Sequence, residues 1–475
     1  MLRRWGFARC LAVVTVVGLV LRLAYVVVFR FPDLPVTNFT DGDAWVYTWG
    51  GVLLARGKGF VAPLDHDMQL ADHPPLYIMY LAIPSFFVRN ASADVIQKVQ
   101  MLWCVLLGSA TVLVCGLAGR EIGGRTERGA RIGIGAAVIA ALYPGLWAYD
   151  GQLLSETIAI FLVALVVLLA YRYWNRPGLA RLAWLSGACA LAALSRAELV
   201  LAFPFIVLPL VLLTRQISFV RQVQWLVVAG VVGVLLIGPW VAFNFSRFDE
   251  RVYLSTGAGQ TMAAANCDAT YYGDKIGSKD YECLAAVMDG VVKPGMDRST
   301  RDAEARKETQ KYIEDHLDRL PVVVLARWGR VAGVYDPARD VRFNIADGVE
   351  RPVAWGQMLA FYPVAGLAIW GAIVMRRRRV PVYPLLALPV IVLMSVGMTF
   401  GQIRYRASAE AALVILAAVA VEAIWCKWSA GRTEARHGGA GLRGDAEAGG
   451  AGSGDDVLEE PPDGQRPVGA IEERP

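Results

Sequence analysis

The stretch "LLSETIAIFLVALVVLLAYR", residues 153–172, decides the fold. It has no charged residue between Glu156 and Arg172, and a helix needs about 20 apolar residues to cross roughly 30 Å of hydrocarbon. The whole chain of 475 residues is 56% hydrophobic and 19% charged, which is more apolar surface than one water-soluble core can bury. The stretch therefore predicts a membrane-spanning helix with a carboxylate at its start.

Apolar runs of similar length recur along the chain, so we predict an all-α polytopic membrane protein with about ten transmembrane helices. The first run follows Arg3, Arg4 and Arg9, and it is longer than the core of a secretory signal, which predicts a signal anchor. The predicted spans lie near residues 10–29, 95–118, 132–149, 153–171, 183–196, 198–214, 224–244, 353–375, 381–400 and 408–426.

Arginines in the short loops predict the orientation, because basic loops stay in the cytoplasm. An even number of predicted spans separates neighbouring basic groups at 3–9, 120–131, 172–181, 215–221 and 376–379. Both termini are therefore predicted to be cytoplasmic in a cell-membrane protein, and two large loops, 30–94 and 245–352, extracytoplasmic. Residues 1–428 form the predicted transmembrane domain, and the Gly-, Ala- and acid-rich residues 429–475 a disordered cytoplasmic tail.

Cysteine positions agree with an outward second loop. Cys267 and Cys283 lie in that loop, and a disulfide between them would suit an oxidising compartment. Two unrelated free thiols remain the alternative. The other cysteines fall in or near predicted spans, where cysteine behaves as a small buried hydrophobe.

The first outer loop begins with carboxylates next to a span, in "FTDGDAWVYTWGGVLLARGKGF", residues 39–60. After Asp41 and Asp43, apolar and aromatic residues recur at helical spacing, which predicts an interfacial helix with its carboxylates at the membrane edge. Such a carboxylate can take a proton from a hydroxyl or bind a cation. We interpret Asp33, Asp65 and Asp67 as solvated.

Asp72 and His73 precede Pro74 and Pro75, which fix an extended approach and then let a helix begin. A cation site is conceivable in this loop, but spacing alone gives no ligand geometry, and we predict no metal or other cofactor. The side chains of that conceivable divalent-cation site are Asp41, Asp43, His66, Asp72 and His73.

Charged residues also lie at the outward ends of later spans, where a membrane protein keeps them only for a reason. Asp150 and Glu156 begin the fourth span, and Arg196 and Glu198 lie between the fifth and sixth. Arg196 and Glu198 form either a structural ion pair or part of a site. Arg196 on the outer side runs against the positive-inside trend.

The segment "GQIRYRASAE", residues 401–410, places Arg404 and Arg406 on either side of Tyr405 at the outer surface. Arginine forks suit phosphate oxygens. A carboxylate base, phosphate-binding arginines and surrounding lipid together point to transfer of a group from a lipid-linked phosphate to a hydroxyl acceptor.

Two motifs and three helix patterns, residues 153–172, 185–204 and 401–410, resemble a known family. Asp43-Ala44-Trp45-Val46-Tyr47 resembles the acidic-x-x-x-Tyr signature of integral-membrane glycosyltransferases with the C-type (GT-C) fold, and "ADHPPLY", residues 71–77, resembles their Pro-Pro-Leu-Tyr motif. The pattern is most similar to the group of protein O-mannosyltransferases and lipid A aminoarabinose transferases. The resemblance spans roughly residues 10–428, which makes this the expected glycosyltransferase domain.

The resemblance implies a polyprenyl-phosphate sugar donor and makes Asp43 the catalytic base. Relatives often carry a glutamate where Ala44 stands, and aminoarabinose transferases a lysine where His73 stands, so the acceptor class and metal dependence stay open. The substrate-binding candidates are Asp41, Tyr47, Asp72, His73, Glu156, Arg196, Arg404 and Arg406.

The predicted function is an inverting glycosyltransferase, by the resemblance and because a retaining double displacement would want a second nucleophilic carboxylate. Asp41 leaves the retaining mechanism open as an alternative. Expected partners are the donor, the bilayer and an extracytoplasmic protein, lipid or glycan acceptor, and no nucleic acid. The alternatives are a transporter or flippase of lipid-linked sugars and a non-catalytic assembly subunit. Against a transporter, the two halves show no repeated span pattern.

Overall fold

The computed structural model describes residues 2–34, 42–65 and 68–447. Asp41, His66 and Asp67 lie outside these ranges. Among the described residues, those up to 423 form one compact unit and those from 424 onward another. All of the candidate site residues that the structure describes belong to the first unit.

Helices dominate the described chain, and one isolated bridge, Val61 to Gln69, is its only β pairing. The helices are α1 (Leu2–Tyr25), α2 (Asp43–Ala55), α3 (Leu76–Val88), α4 (Ala93–Ile122), α5 (Glu127–Leu142), α6 (Pro144–Trp147), α7 (Glu156–Asn175), α8 (Leu179–Ser195), α9 (Leu208–Leu212), α10 (Phe219–Phe245), α11 (Ala258–Ala263), α12 (Asp268–Tyr271), α13 (Tyr281–Val291), α14 (Arg298–Asp315), α15 (Leu320–Val331), α16 (Pro337–Ala346), α17 (Arg351–Arg377), α18 (Tyr383–Met398) and α19 (Ala407–Glu447).

The all-α, multi-pass architecture is confirmed, and each of the ten predicted spans falls on one or more helices, while the exact number of spans stays a prediction. Within the described residues, 6 helices are long and apolar enough to cross a membrane, or 7 if α5 and the following segment, bent by 69°, count as one. Pro144 breaks the predicted span 132–149 at this bend. The spans predicted near 183–196, 198–214 and 381–400 are shorter apolar helices, Leu179–Ser195, Ala197–Leu212 and Tyr383–Met398.

The last helix runs past the end of the predicted transmembrane domain. It continues through Glu447, whereas the composition predicted a disordered tail from residue 429. The first part of that tail contains "GRTEAR", residues 431–436, in which alanine, arginine and glutamate favour helix locally. Residues 448–475 lie outside the described part of the chain.

An ion pair inside the helix bundle joins the first span to the bend after α5. Arg22 Nε lies 2.9 Å from Asp150 Oδ2, and both side chains are fully buried. Gly108 of α4 makes room for the pair, since a Cβ there would lie 2.2 Å from Asp150 Oδ2. Asp150, expected at the outward end of a span, is therefore part of the packing of the bundle.

Three basic side chains, two from α5 and one just after α17, lie near one buried carboxylate at the end of the first unit. Glu422 lies 2.8 Å from Arg378, 3.4 Å from Arg131 and 3.9 Å from Arg128. Two of the basic groups that were predicted to be cytoplasmic, 120–131 and 376–379, therefore lie on the same side of the bundle. Which side faces the cytoplasm stays a prediction.

Helices α11 to α16 make up the folded part of the second outer loop. Cys267 and Cys283 form a disulfide with a Cα–Cα distance of 6.0 Å. Arg327, fully buried in α15, donates to the carbonyl oxygens of Gly397 at 2.8 Å and Ala265 at 2.7 Å. This arginine ties the loop to the end of α18.

The two outer loops pack against each other. Arg247, just after α10, donates to the carbonyl oxygens of Phe60 at 2.9 Å and Leu70 at 2.8 Å. The amide of Thr256 donates to the carbonyl of Ala71 at 2.7 Å. These contacts hold the segment before His73 under the second loop.

Replacing Arg327 with methionine should destabilise the second outer loop. Buried carbonyl groups then lose a charged hydrogen-bond donor, which lowers the free energy of unfolding by about 2 kcal/mol or more. We expect a lower thermal unfolding midpoint in detergent, measured by size-exclusion chromatography after heating. Arg342→Met, at an exposed position on α16, is the control and should leave the midpoint unchanged. Equal midpoints for both variants would show that Arg327 does not anchor the loop.

Candidate active site

One guanidinium group gathers carboxylates from three distant parts of the chain. Arg404 lies in a short turn, Ile403–Arg406, just before α19. Its Nη2 is 2.5 Å from Asp43 Oδ2, its Nε is 2.5 Å from Glu156 Oε1, and its Nη1 is 3.9 Å from Asp347 Oδ2. Every nitrogen of this side chain therefore faces a carboxylate.

Asp43 begins α2, as the helical spacing predicted, and stands where the helix dipole favours a negative charge. Its second oxygen, Oδ1, lies 3.2 Å from His73 Nε2, and 35% of its side chain is exposed. Tyr47, one turn along α2, places its ring 4.7 Å from the His73 ring. The structure thus brings Asp43, Tyr47, His73 and Arg404 together.

The charges in this cluster control the protonation of both partners of the Asp43–His73 contact. Burial alone would raise the pKa of Asp43, but the positive charges of Arg404 and His73 hold it well below its usual range. Burial would lower the pKa of His73, but the Asp43 carboxylate raises it above its ordinary value. Asp43 is therefore ionised, and as long as Arg404 holds it, it is a weak proton acceptor.

Glu156 and Arg196 extend the cluster into the bundle. Glu156 is fully buried at the start of α7, and its Oε1 accepts from Arg196 Nη1 at 2.7 Å. Arg196 Nε also donates to Glu198 Oε1 at 2.7 Å. The Arg196–Glu198 pair, which the sequence left as either structural or functional, is continuous with Arg404 through Glu156.

Asp72 and His73 are neighbours in sequence but contact different parts of the protein. While His73 faces Asp43, Asp72 forms an ion pair with Arg298, the first residue of α14. Asp72 also accepts a hydrogen bond from Thr256 Oγ1 at 3.1 Å. Asp72 therefore links the first outer loop to the second, and of this pair His73 is the one that contacts Asp43.

Arg406 lies apart from the carboxylates that surround Arg404. Its Nε is 2.5 Å from Glu410 Oε1, and its Nη1 donates to the carbonyl of Val331 at 3.2 Å. Its guanidinium carbon lies 3.5 Å from the ring centroid of Phe361. The two arginines were predicted together as phosphate ligands, but the turn directs their side chains to different partners.

Sequence reasoning missed Asp347 and Lys279 of the second outer loop. Asp347 Oδ2 accepts from Gln402 Nε2 at 2.5 Å, and its Oδ1 lies 3.9 Å from Lys279 Nζ. In the sequence, nothing distinguishes these two residues from the other charged residues of the loop. Only the tertiary fold brings them to Arg404.

The conceivable cation site is only partly described. Among residues 2–34, 42–65 and 68–447 there is no group of three or more His, Cys, Asp or Glu side chains arranged to hold a metal ion. Asp41 and His66 lie outside the described residues. Within the described part, Asp43 and Asp72 have arginine partners.

Comparison with solved structures identifies the fold. The archaeal oligosaccharyltransferase AglB from Archaeoglobus fulgidus, in complex with an inhibitory peptide and a dolichol-phosphate, is similar with a TM-score of 0.51 and 15% identity over 92% of this chain and 52% of that chain. An Archaeoglobus fulgidus oligosaccharyltransferase tethered to an acceptor peptide is similar with a TM-score of 0.50 and 16% identity, over 90% of this chain and 50% of that chain.

ArnT from Cupriavidus metallidurans, bound to undecaprenyl phosphate, gives a TM-score of 0.41 and 13% identity over 85% of this chain and 77% of that chain. No protein-family model and no curated protein sequence matches the chain. The chain spans about half the length of the two oligosaccharyltransferase chains. The predicted C-type (GT-C) glycosyltransferase fold is confirmed, and at these identities the likeness establishes the fold alone.

The Asp43–His73 contact should be visible in the titration of His73. In Asp43→Asn the pKa of His73 should fall, because it loses the negative charge that does most to raise it. Histidine-selective NMR in nanodiscs measures this, with His73→Gln to assign the resonance among the 4 histidines. The contact should weaken as pH falls through the low pKa of Asp43 or rises through the raised pKa of His73. An unchanged His73 pKa in Asp43→Asn would contradict the contact.

Proposed function

We propose that the protein transfers a sugar from a polyprenyl-phosphate donor to the hydroxyl of an extracytoplasmic protein, lipid or glycan acceptor. The observation that supports this most is the contact of Asp43, a carboxylate at the start of an outer-loop helix, with Arg404 and His73. A carboxylate can remove a proton from an attacking hydroxyl, and a guanidinium can stabilise a departing phosphate. The dolichol-phosphate in the AglB complex adds support for a lipid-phosphate donor.

The proposed reaction is a single displacement. Asp43 takes the proton of the acceptor hydroxyl as its oxygen bonds to the anomeric carbon of the sugar. The bond between that carbon and the phosphate oxygen breaks, and polyprenyl phosphate leaves as an anion facing Arg404. Because one carboxylate acts as base and no covalent sugar–enzyme intermediate forms, the anomeric configuration inverts.

Arg404 links donor binding to the strength of the base in this scheme. A phosphate that takes the guanidinium donors of Arg404 competes with Asp43 for them. Asp43 is then left with His73, its pKa rises, and it becomes a better proton acceptor. Binding of the donor phosphate to Arg404 would thus stabilise the leaving group and free Asp43 to act as the base.

An apolar groove offers a place for the hydrocarbon tail of the donor. It has a volume of about 450 Å³ and is bounded by α17, α18 and α19. Its lining is apolar apart from Arg406, which lies at the outer end beside Val331. A polyprenyl chain in this groove would stay in the membrane while its phosphate lies at the outer surface.

The test is sugar transfer in proteoliposomes from a panel of polyprenyl-phosphate sugars. Asp43→Asn should lower the rate of product formation by about 10²–10⁴-fold, the usual contribution of a positioned general base. Asp33→Asn changes an exposed carboxylate of the same loop and should leave the rate unchanged.

The same assay separates transfer from transport. Transfer releases free polyprenyl phosphate together with a glycosylated acceptor. If the wild type instead moves the intact lipid-linked sugar across the bilayer, and Asp43→Asn does so equally well, the protein is a transporter and the proposed reaction is wrong.

A further inference from the structure

Lys279 is held in a confined position in the second outer loop. Only 11% of its side chain is exposed. Its Nζ lies 5.2 Å from the ring centroid of Tyr281, 5.6 Å from that of Phe343 and 5.7 Å from that of Phe400. Aromatic faces stabilise an ammonium group but do not neutralise it, so the position favours an anion nearby.

The backbone ties this lysine to the turn that carries Arg404. The amide of Gly401 donates to the carbonyl of Gly277 at 2.9 Å. Gly277 is two residues before Lys279, and Gly401 three residues before Arg404. The two cations therefore come from segments that are hydrogen-bonded to each other, although they are far apart in sequence.

Asp347 lies between these two cations. One carboxylate oxygen is 3.9 Å from Lys279 Nζ and the other 3.9 Å from Arg404 Nη1. Both distances exceed that of a direct hydrogen bond, and the short contact of this carboxylate is with the neutral amide of Gln402. Asp347 thus lies near both cations but forms a direct hydrogen bond with neither.

We propose that Lys279 and Arg404 together bind the phosphate of the donor, at the position that the Asp347 carboxylate holds in the structure. The inference rests on the proposed function and adds a residue to it. The two non-bridging oxygens of a phosphodiester share one negative charge. One would accept from both Nη1 and Nη2 of Arg404, of which Nη2 faces Asp43 in the structure, and the other would face the Lys279 ammonium group. Asp347 would have to turn away, because two anions between the same cations repel each other.

The Asp347 side chain can turn without a movement of the backbone. Asp347 caps the C-terminal end of α16, and the next residue, Gly348, is held because its carbonyl oxygen accepts hydrogen bonds from Arg30 at 2.9 Å and Gln152 at 3.0 Å. The Asp347 side chain is partly exposed. The carboxylate can therefore rotate toward solvent while α16 keeps its place.

The experiment is equilibrium binding of radiolabelled undecaprenyl phosphate to the full chain in nanodiscs. Lys279→Gln should weaken binding by about tenfold, and Asp347→Asn should tighten it by about tenfold, because the first removes an attraction and the second a competing anion. Lys279→Arg keeps the charge and should restore most of the affinity. The control is Lys275→Gln, in the same loop, where the side chain is 46% exposed and pairs with Asp280; its affinity should equal that of the wild type.

The opposite signs distinguish a binding site from structural damage, which would weaken binding in both variants. Wild-type affinity in both Lys279→Gln and Asp347→Asn would overturn the inference and leave the proposed donor class standing. Weaker binding in Asp347→Asn would also overturn it. Failure of the wild type itself to bind undecaprenyl phosphate would instead overturn the proposed donor class, and with it the inference.

Discussion

The contact between Arg404 and its carboxylates is the constraint on which the packing of the two large loops against the helix bundle depends. Asp43 comes from the first outer loop, Glu156 from the start of a span, and Asp347 from the end of the second outer loop. A buried carboxylate without a cation is very costly. The three segments therefore meet around this guanidinium.

The same contact connects architecture with chemistry. The charge that holds α2 against the bundle also depresses the pKa of Asp43, so the cluster is stable and its base is weak. A phosphate anion is the kind of ligand that can take Arg404 from Asp43. We propose that the donor phosphate replaces Asp43 as a partner of Arg404. The same exchange binds the donor and makes Asp43 a stronger base.

The sequence predicted the elements that depend on local pattern. The apolar run after Glu156 is a span, and the helical spacing after Asp43 is α2. The span predicted near 132–149 is broken at Pro144, which the run of apolar residues alone does not show. The clustering of Lys279 and Asp347 at the site could not be predicted, because it depends on how a long loop packs against the bundle.

The most direct test of the account is a cryo-electron microscopy structure of the protein with undecaprenyl phosphate. We expect the phosphate to lie within hydrogen-bond distance of Arg404. The distance from Asp43 Oδ2 to Arg404 Nη2 should then exceed its present 2.5 Å. A phosphate bound elsewhere, with the contact between Asp43 and Arg404 intact, would contradict it.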